Sequence, residues 1–184
     1  MVANNIFPIP VPLDGRHGTL WQAFVKWLKR ELDATDTRLD TAELESRARA
    51  RVTRTTAQAV GNGVVSAVVW NATSYNTGVW SSTVNPSRLT ALVAGTYHIE
   101  FCATWGLNAA GARYLAIGFN GGGIVQDTHI STTAAWYYAS SMSTDVYMLA
   151  GDYVEGLCYQ SSGAAVNIEP GAYPVSMSMY RLGA

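Results

Sequence analysis

The sequence predicts an all-β protein, a sandwich or jelly roll, that follows an extended N-terminal arm and a short α-helical stalk. Three patterns lead to this prediction. The last two-thirds of the 184 residues are rich in Val, Thr, Tyr and Trp and are interrupted by Gly, Asn and Ser. A heptad pattern precedes this region, and alternating prolines precede the heptads. The predicted parts are an arm at 1–18, a helical stalk and linker at 19–56, and a jelly-roll domain at 57–184.

The arm alternates proline with aliphatic residues and is predicted to be extended. Each proline lacks a backbone donor and disfavours helical geometry in the residue before it. An apolar strip with few donors suits a groove on another chain, so we predict that the arm docks onto a larger particle. An undocked tail is the alternative. The predicted docking residues are Ile6, Pro8, Ile9, Pro10, Val11, Pro12 and Leu13.

The second part is predicted to be an amphipathic helix from residue 19 to about 51. Apolar and small residues recur at spacings of four and three, with charged residues between them. Because so short a seam is marginal alone, two arrangements remain open: an oligomerising stalk, or a single helix lying on the body. The basic run of Arg47, Arg49, Arg51 and Arg54 is interpreted as a solvated or partner-facing exit from the stalk. The predicted oligomer seam is Trp21, Val25, Leu28, Leu32 and Leu39.

The third part is predicted to contain about eight short strands, as is typical of a sandwich or jelly roll. Within the strand 96–105, every second residue from Tyr97 to Trp105 is predicted to face the core. The last strand alternates Val and Met with Ser, which predicts one buried and one exposed face. The candidate strands are 64–70, 88–93, 96–105, 113–119, 135–140, 145–149, 153–160 and 175–182.

Charge and motif content argue against several classes of function. The net charge of −1 and the pI near 6.3 provide no attraction for nucleic acid or an anionic membrane. Of the 25 charged residues, 16 precede Ala57, so the body has few groups for catalysis. His98, Glu100 and Cys102 share one strand face but lie ~7 Å apart at each step, which suits contacts at a subunit interface better than one metal ion. We therefore expect no enzymatic activity, no cofactor and no metal site.

The N-terminal segment also indicates where the chain is made. It lacks a basic region, and its prolines interrupt the apolar run, so we expect no secretory signal. No apolar run in the sequence approaches the ~20 residues that span a bilayer. We therefore expect synthesis in a cytoplasm and no membrane partner.

Aromatic residues near predicted turns and strand edges are the remaining candidates for binding. Rings in such places either stack on sugars or pack against protein. Trp136 and Tyr137 are adjacent, so they face opposite sides of a strand and at least one is expected in the core. Packing within an oligomer and sugar binding both remain open. The candidate glycan or partner contacts are Trp80, Trp136 and Tyr137.

Short motifs in the body resemble those of C1q/TNF-like jelly-roll domains. Residues 89–97, LTALVAGTY, resemble a strand–turn–strand corner with Gly-x-Tyr. Residues 75–80 resemble the Tyr-Asp-x-Gly segment of these domains, and residues 150–154 resemble their Gly-Asp-x-Val strand entry. The motifs that are especially similar to C1q-like domains of bacteriophage virion proteins are Asn108, Gly111, Arg113, Asn120, Gly121 and residues 160–163.

The resemblance covers residues 64–183 and implies a C1q/TNF-like jelly roll that forms a homotrimer. Asn76 stands where Asp is expected, Leu92 where Pro is common, and Gly156 where a large apolar residue is usual. These departures leave the expected fold intact but weaken the transfer of a divalent-metal site.

The resulting functional hypothesis is a structural bacteriophage virion protein. It would be a trimeric head decoration or fibre protein, or a minor tail protein, located in the virion and assembled in the host cytoplasm. Its N-terminal arm would bind other virion proteins of the capsid or tail. The alternatives are a receptor-binding module that recognises host surface glycans, and a bacterial surface or spore-coat C1q-like protein.

Overall fold

The computed structural model describes residues 15–131, 137–171 and 173–183, and their side chains except those of 15–20, 39–47, 126–127 and 129–131. The chain divides into two compact units, Met1–Glu43 and Leu44–Ala184. Most of the helix belongs to the first unit, and the strands belong to the second. The elements are α1 Gly15–Arg47, β1 Arg49–Arg54, β2 Gln58–Val60, β3 Ser66–Ala67, β4 Ala72–Asn76, β5 Arg88–Thr90, β6 Gly95–Trp105, β7 Ala112–Phe119, β8 Gly123–Ser131, β9 Tyr138–Met148, β10 Tyr153–Gln160, β11 Val166–Ile168 and β12 Val175–Gly183.

The second unit is built from two antiparallel sheets. The first sheet runs β2-β11-β6-β12-β1-β4, and β9 pairs along β6 as well. The second sheet runs β3-β10-β7-β8, and β5 also pairs with β10. Pairing of early strands with late ones, such as β1 with β12, closes the domain between distant parts of the sequence.

The core lies between the two sheets and confirms the alternation predicted for β6. Tyr97, Ile99, Phe101, Ala103 and Trp105 are all fully buried. Burial of each large apolar side chain in this row contributes about 2 kcal/mol to folding. The Phe101 ring also packs edge-on against a Trp ring from the segment before β4, with 6.1 Å between the ring centroids. The predicted row is therefore the centre of the core.

Gly156 in β10 is explained by this packing. A Cβ atom placed on Gly156 would lie 2.8 Å from the Phe101 ring, which crosses from the opposite sheet. The ring therefore fills the space that a large apolar residue at position 156 would need. Gly156 and Phe101 therefore form one core contact, in which the ring packs directly against the glycine.

The helix ends earlier, and the sheets begin earlier, than the sequence analysis predicted. Helix α1 stops at Arg47 rather than near 51, and β1 occupies part of the predicted stalk and linker at 19–56. Strand β1 pairs with β12 on one edge and with β4 on the other, and Ala50 and Val52 in it are fully buried. The predicted domain start at 57 is therefore too late. The three arginines among the six residues of β1 obscured the alternation of buried and outward-facing positions that is typical of a strand.

Two other details differ from the predictions. The segment around His129, which is absent from the candidate strands, belongs to β8, which pairs with β7 and places that residue opposite Tyr114. In β12, Ser176 and Ser178 are only 6% and 7% exposed, so the strand is not half-buried. These serines are short, and β12 lies inside the sheet, between β6 and β1.

Candidate functional site

The outer face of the first sheet is the side of β9, β6, β12 and β1 that points away from the core. Glu100 in β6 lies opposite Ser178 in β12 and Ser143 in β9, and Ser178 lies opposite Arg51 in β1. Alternation puts all four side chains on the same side of the sheet. The centre of this face is therefore polar, with the buried Ser178 between the longer side chains of Arg51 and Glu100.

Charge is separated across the outer face. Arg49 and Arg51 project from β1, whereas Glu100 and Asp145 project from β6 and β9. In the described part of the chain, neither Arg51 nor Glu100 forms an ion pair, and Glu100 accepts only a long hydrogen bond of 3.5 Å from the Ser178 hydroxyl. One side of the face is basic and the other is acidic, with serines between them.

The three side chains that were predicted to share one strand face each contact a different partner. His98 Nδ1 lies 2.6 Å from Asp145 Oδ1, and its ring is 5.1 Å from the Tyr180 ring. Cys102 donates from Sγ to the carbonyl of Pro174 at 3.4 Å. Burial raises the pKa of the Cys102 thiol, and the Glu100 charge raises it further. Among the residues with described side chains, no group of three or more His, Cys, Asp or Glu could hold a metal ion.

The predicted oligomer seam lies on α1, and the structure adds two aromatic residues beside it. Trp21, Val25, Leu28 and Leu32 are each between 39% and 56% exposed in the single chain, and the side chain of Leu39 lies outside the described set. Phe24 and Trp27 are also about half exposed, and the rings of Trp21, Phe24 and Trp27 follow one another at 5.8 and 5.9 Å. The exposed apolar surface of α1 is therefore wider than the predicted seam.

The predicted docking arm, from Ile6 to Leu13, lies outside the described residues. No described helix is both long enough and apolar enough to cross a membrane.

The structure describes two of the three aromatic candidates for glycan contact, and these two differ in exposure. Trp80 is only 9% exposed, and its indole nitrogen donates to the carbonyl of Pro86 at 3.0 Å, so its ring offers no stacking face. Asn76 holds it there by accepting hydrogen bonds from the backbone of the Gly78–Trp80 turn. Trp136 lies outside the described residues, whereas Tyr137 is 53% exposed. Of the two candidates that the structure describes, Tyr137 is the one with an exposed ring.

Tyr137 lines a cleft at the end of β6 that the sequence analysis did not find. The cleft has a volume of about 210 Å³. Glu169 enters it just after β11, where its backbone nitrogen donates to the carbonyl of Thr104 at 2.8 Å. Asn167 donates from Nδ2 to one oxygen of the Glu169 carboxylate at 3.2 Å. The lining residues are Thr104, Tyr137, Glu169, Pro170, Gly171 and Tyr173.

Comparison with solved structures places the second unit among known jelly rolls. The globular domain of zebrafish complement 1qA protein matches 74% of this chain and 98% of its own, with 13% identity and a TM-score of 0.54. The Eiger TNF of S. frugiperda matches 73% and 92%, with 10% identity and a TM-score of 0.56. Murine APRIL matches 73% and 99%, with 11% identity and a TM-score of 0.54.

These similarities confirm the predicted fold. The chain has a C1q/TNF-like jelly roll made of two antiparallel sheets, with one helix before it. No protein-family model and no curated protein matches the sequence. With identities of 10–13%, the likeness shows the fold alone.

Proposed function

We propose that the chain is a non-enzymatic structural protein of a bacteriophage virion and that it works as a homotrimer. The outer face of the first sheet is the contact between copies, α1 contributes a stalk, and the N-terminal arm binds the capsid or tail. The observation that carries the proposal is the separation of Arg51 from Glu100 across β12 on the outer face.

A cyclic assembly makes use of this charge pattern. In a ring of identical copies, one part of a surface meets a different part of the same surface on the next copy. The basic side of one outer face then meets the acidic side of its neighbour, and each Arg51 finds a Glu100. Complementary charge of this kind fixes register and selects the right partner.

The apolar surface of α1 supports the same assembly. Its exposed Trp21, Val25, Leu28 and Leu32 recur at heptad spacing, and a helix of this kind gains most of its stability from packing against another element. Parallel helices from three copies would cover these side chains together. Three-fold symmetry is also what the resemblance to C1q/TNF-like domains implies.

The arm supplies attachment in this proposal. Prolines and aliphatic residues from Ile6 to Leu13 form a strip with few backbone donors, which suits a groove on a larger particle. Once one arm of a trimer is bound, the other two arms are held close to the particle. Their effective concentration is therefore higher than that of free chains. A head decoration or fibre protein, or a minor tail protein, would need such an anchor.

Deletion of residues 1–14 tests the attachment role. We expect the shortened chain to remain a trimer in sedimentation velocity, because the outer face and α1 are retained. It should fail to co-purify with phage particles assembled in cells that express it, whereas the full chain co-purifies. Co-purification of the shortened chain at the level of the full chain would contradict the anchoring role. Absence of the full chain from purified particles would contradict the virion role itself.

Glycan recognition is the second candidate function, and the cleft beside Tyr137 favours it. A trimeric module with a half-exposed tyrosine in each copy is suited to weak, multivalent binding of a host surface. A glycan array separates this candidate from a purely structural role, since a structural protein gives no reproducible signal on it.

A further inference from the structure

We infer that the cleft at the end of β6 binds one pyranose ring of a neutral carbohydrate. This inference rests on the second candidate function, glycan recognition, and is independent of the virion proposal. It concerns Tyr137, Tyr173 and Glu169, of which Tyr137 alone is among the glycan contacts predicted from the sequence.

The two tyrosines provide the apolar contact that a sugar ring needs. Tyr137 and Tyr173 are each 53% exposed, and neither ring packs against another ring in the described part of the chain. An aromatic side chain with one free face and a polar tip can cover the C–H face of a pyranose and still offer its hydroxyl group as a hydrogen-bond donor or acceptor.

Glu169 provides a fixed acceptor between these walls. Its backbone is anchored to β6 through Thr104, and Asn167 already donates to Oε1 of its carboxylate. The site of a Cβ on Gly106 lies 3.1 Å from that same oxygen, so glycine at 106 leaves room for the carboxylate. The other oxygen, Oε2, accepts no hydrogen bond from a described residue. A carboxylate held in this way can accept from sugar hydroxyl groups, and charge-assisted bonds of this kind are the stronger ones.

The charge and size of the cleft restrict the ligand. None of the described lining residues is basic, so a sugar acid such as sialic acid would meet a carboxylate without a compensating cation. The volume of about 210 Å³ is smaller than that of sites that enclose drug-sized ligands. The cleft therefore suits one neutral ring of a longer glycan, with a dissociation constant on the order of 1 mM for the isolated ring.

A quaternary ammonium ion is the competing ligand, since cations also favour aromatic rings and a carboxylate. Such ions are enclosed by rings on several sides, whereas here both tyrosines are half exposed and leave an open wall. The open wall favours a flat ring over a compact cation. Choline therefore serves as a comparison ligand in the test.

Saturation-transfer NMR on the full chain tests the inference, with the methyl glycosides of glucose, galactose and N-acetylglucosamine as probes and with sialyllactose and choline for comparison. At least one neutral glycoside should bind. Tyr137→Ala and Glu169→Gln should each weaken its binding by roughly 10-fold or more. Val84→Ala, which trims a side chain 66% exposed in the segment between β4 and β5, should leave binding unchanged. Thermal melts of all variants should coincide.

Four outcomes would overturn the inference: no binding of any neutral glycoside, binding that both site variants retain, binding of sialyllactose alone, or binding of choline alone. A glycan array on the same variants distinguishes a wrong binding site from the absence of glycan recognition. If the array signal is reproducible and survives Tyr137→Ala and Glu169→Gln, glycan recognition stands and this cleft is the wrong site. If the full chain gives no array signal, the second candidate function fails as well.

Discussion

Replacing Arg51 with glutamate is expected to convert the trimer into monomers. In the proposed ring, each Arg51 faces a Glu100 of the next copy, so one substitution introduces three like-charge contacts into each assembly. Like charges brought together at an interface cost several kcal/mol, which corresponds to a loss of roughly 100-fold or more in association. Sedimentation velocity at micromolar concentration and physiological salt measures this change. Near-UV circular dichroism checks that the isolated chain remains folded.

The reversed pair is the control for this substitution. Glu100→Arg alone should also dissociate the trimer, and Arg51→Glu combined with Glu100→Arg should restore it, because opposite charges then meet again with their places exchanged. A general loss of surface complementarity would leave the double variant as monomeric as either single variant. An Arg51→Glu protein that sediments like the unmodified chain would show that the outer face does not join the copies.

Replacing Gly111 with alanine is expected to cause a large loss of stability. Gly111 has a φ of +70°, and a Cβ there would press against the Ser161 carbonyl and lie 2.8 Å from the nitrogen of Ser162. The substitution would also separate Ala112 and Ser161, which exchange hydrogen bonds at 3.0 and 3.1 Å. Left-handed strain and the clash together should lower the free energy of unfolding by about 3 kcal/mol. Chemical denaturation measures it.

Gly63→Ala is the matched control for that prediction. Gly63 has a φ of +72°, almost that of Gly111, but no heavy atom outside Gly63 and its two chain neighbours lies within 4 Å of the Cβ position. Its replacement should cost about 1 kcal/mol, the ordinary cost of left-handed geometry for a residue with a side chain. Equal losses of unfolding free energy at the two positions would mean that the loop before β7 moves away from Ser161 at no cost. That result would contradict the close packing of Gly111 against Ser161.

The sequence was most informative where local periodicity and tertiary structure agree. The alternation in β6 identified every core residue of that strand, because a row buried between two sheets is apolar at every second position. Strand β1 was missed because its outward positions carry arginines, and the run then appears to be a charged helix exit. Those arginines belong to the outer face, so the error in the strand boundary concealed half of the proposed interface.

The cleft illustrates a different limit of sequence reasoning. Thr104 and Glu169 are far apart in sequence and meet because Ile168 in β11 pairs with Trp105 at the end of β6. No local pattern marks that pairing. Burial likewise separates Trp80 from Tyr137, although both are aromatic residues near turns. Whether a ring packs inward or stays free depends on partners such as Pro86, which only the folded chain brings into place.

The mass of the unmodified full chain in native mass spectrometry tests the central claim most directly. The account predicts a dominant species with three times the 19.8 kDa mass of one chain at micromolar concentration. A monomer or a dimer as the dominant species under these conditions would contradict the three-fold assembly. The roles proposed for the outer face, the stalk and the three arms would then fail with it.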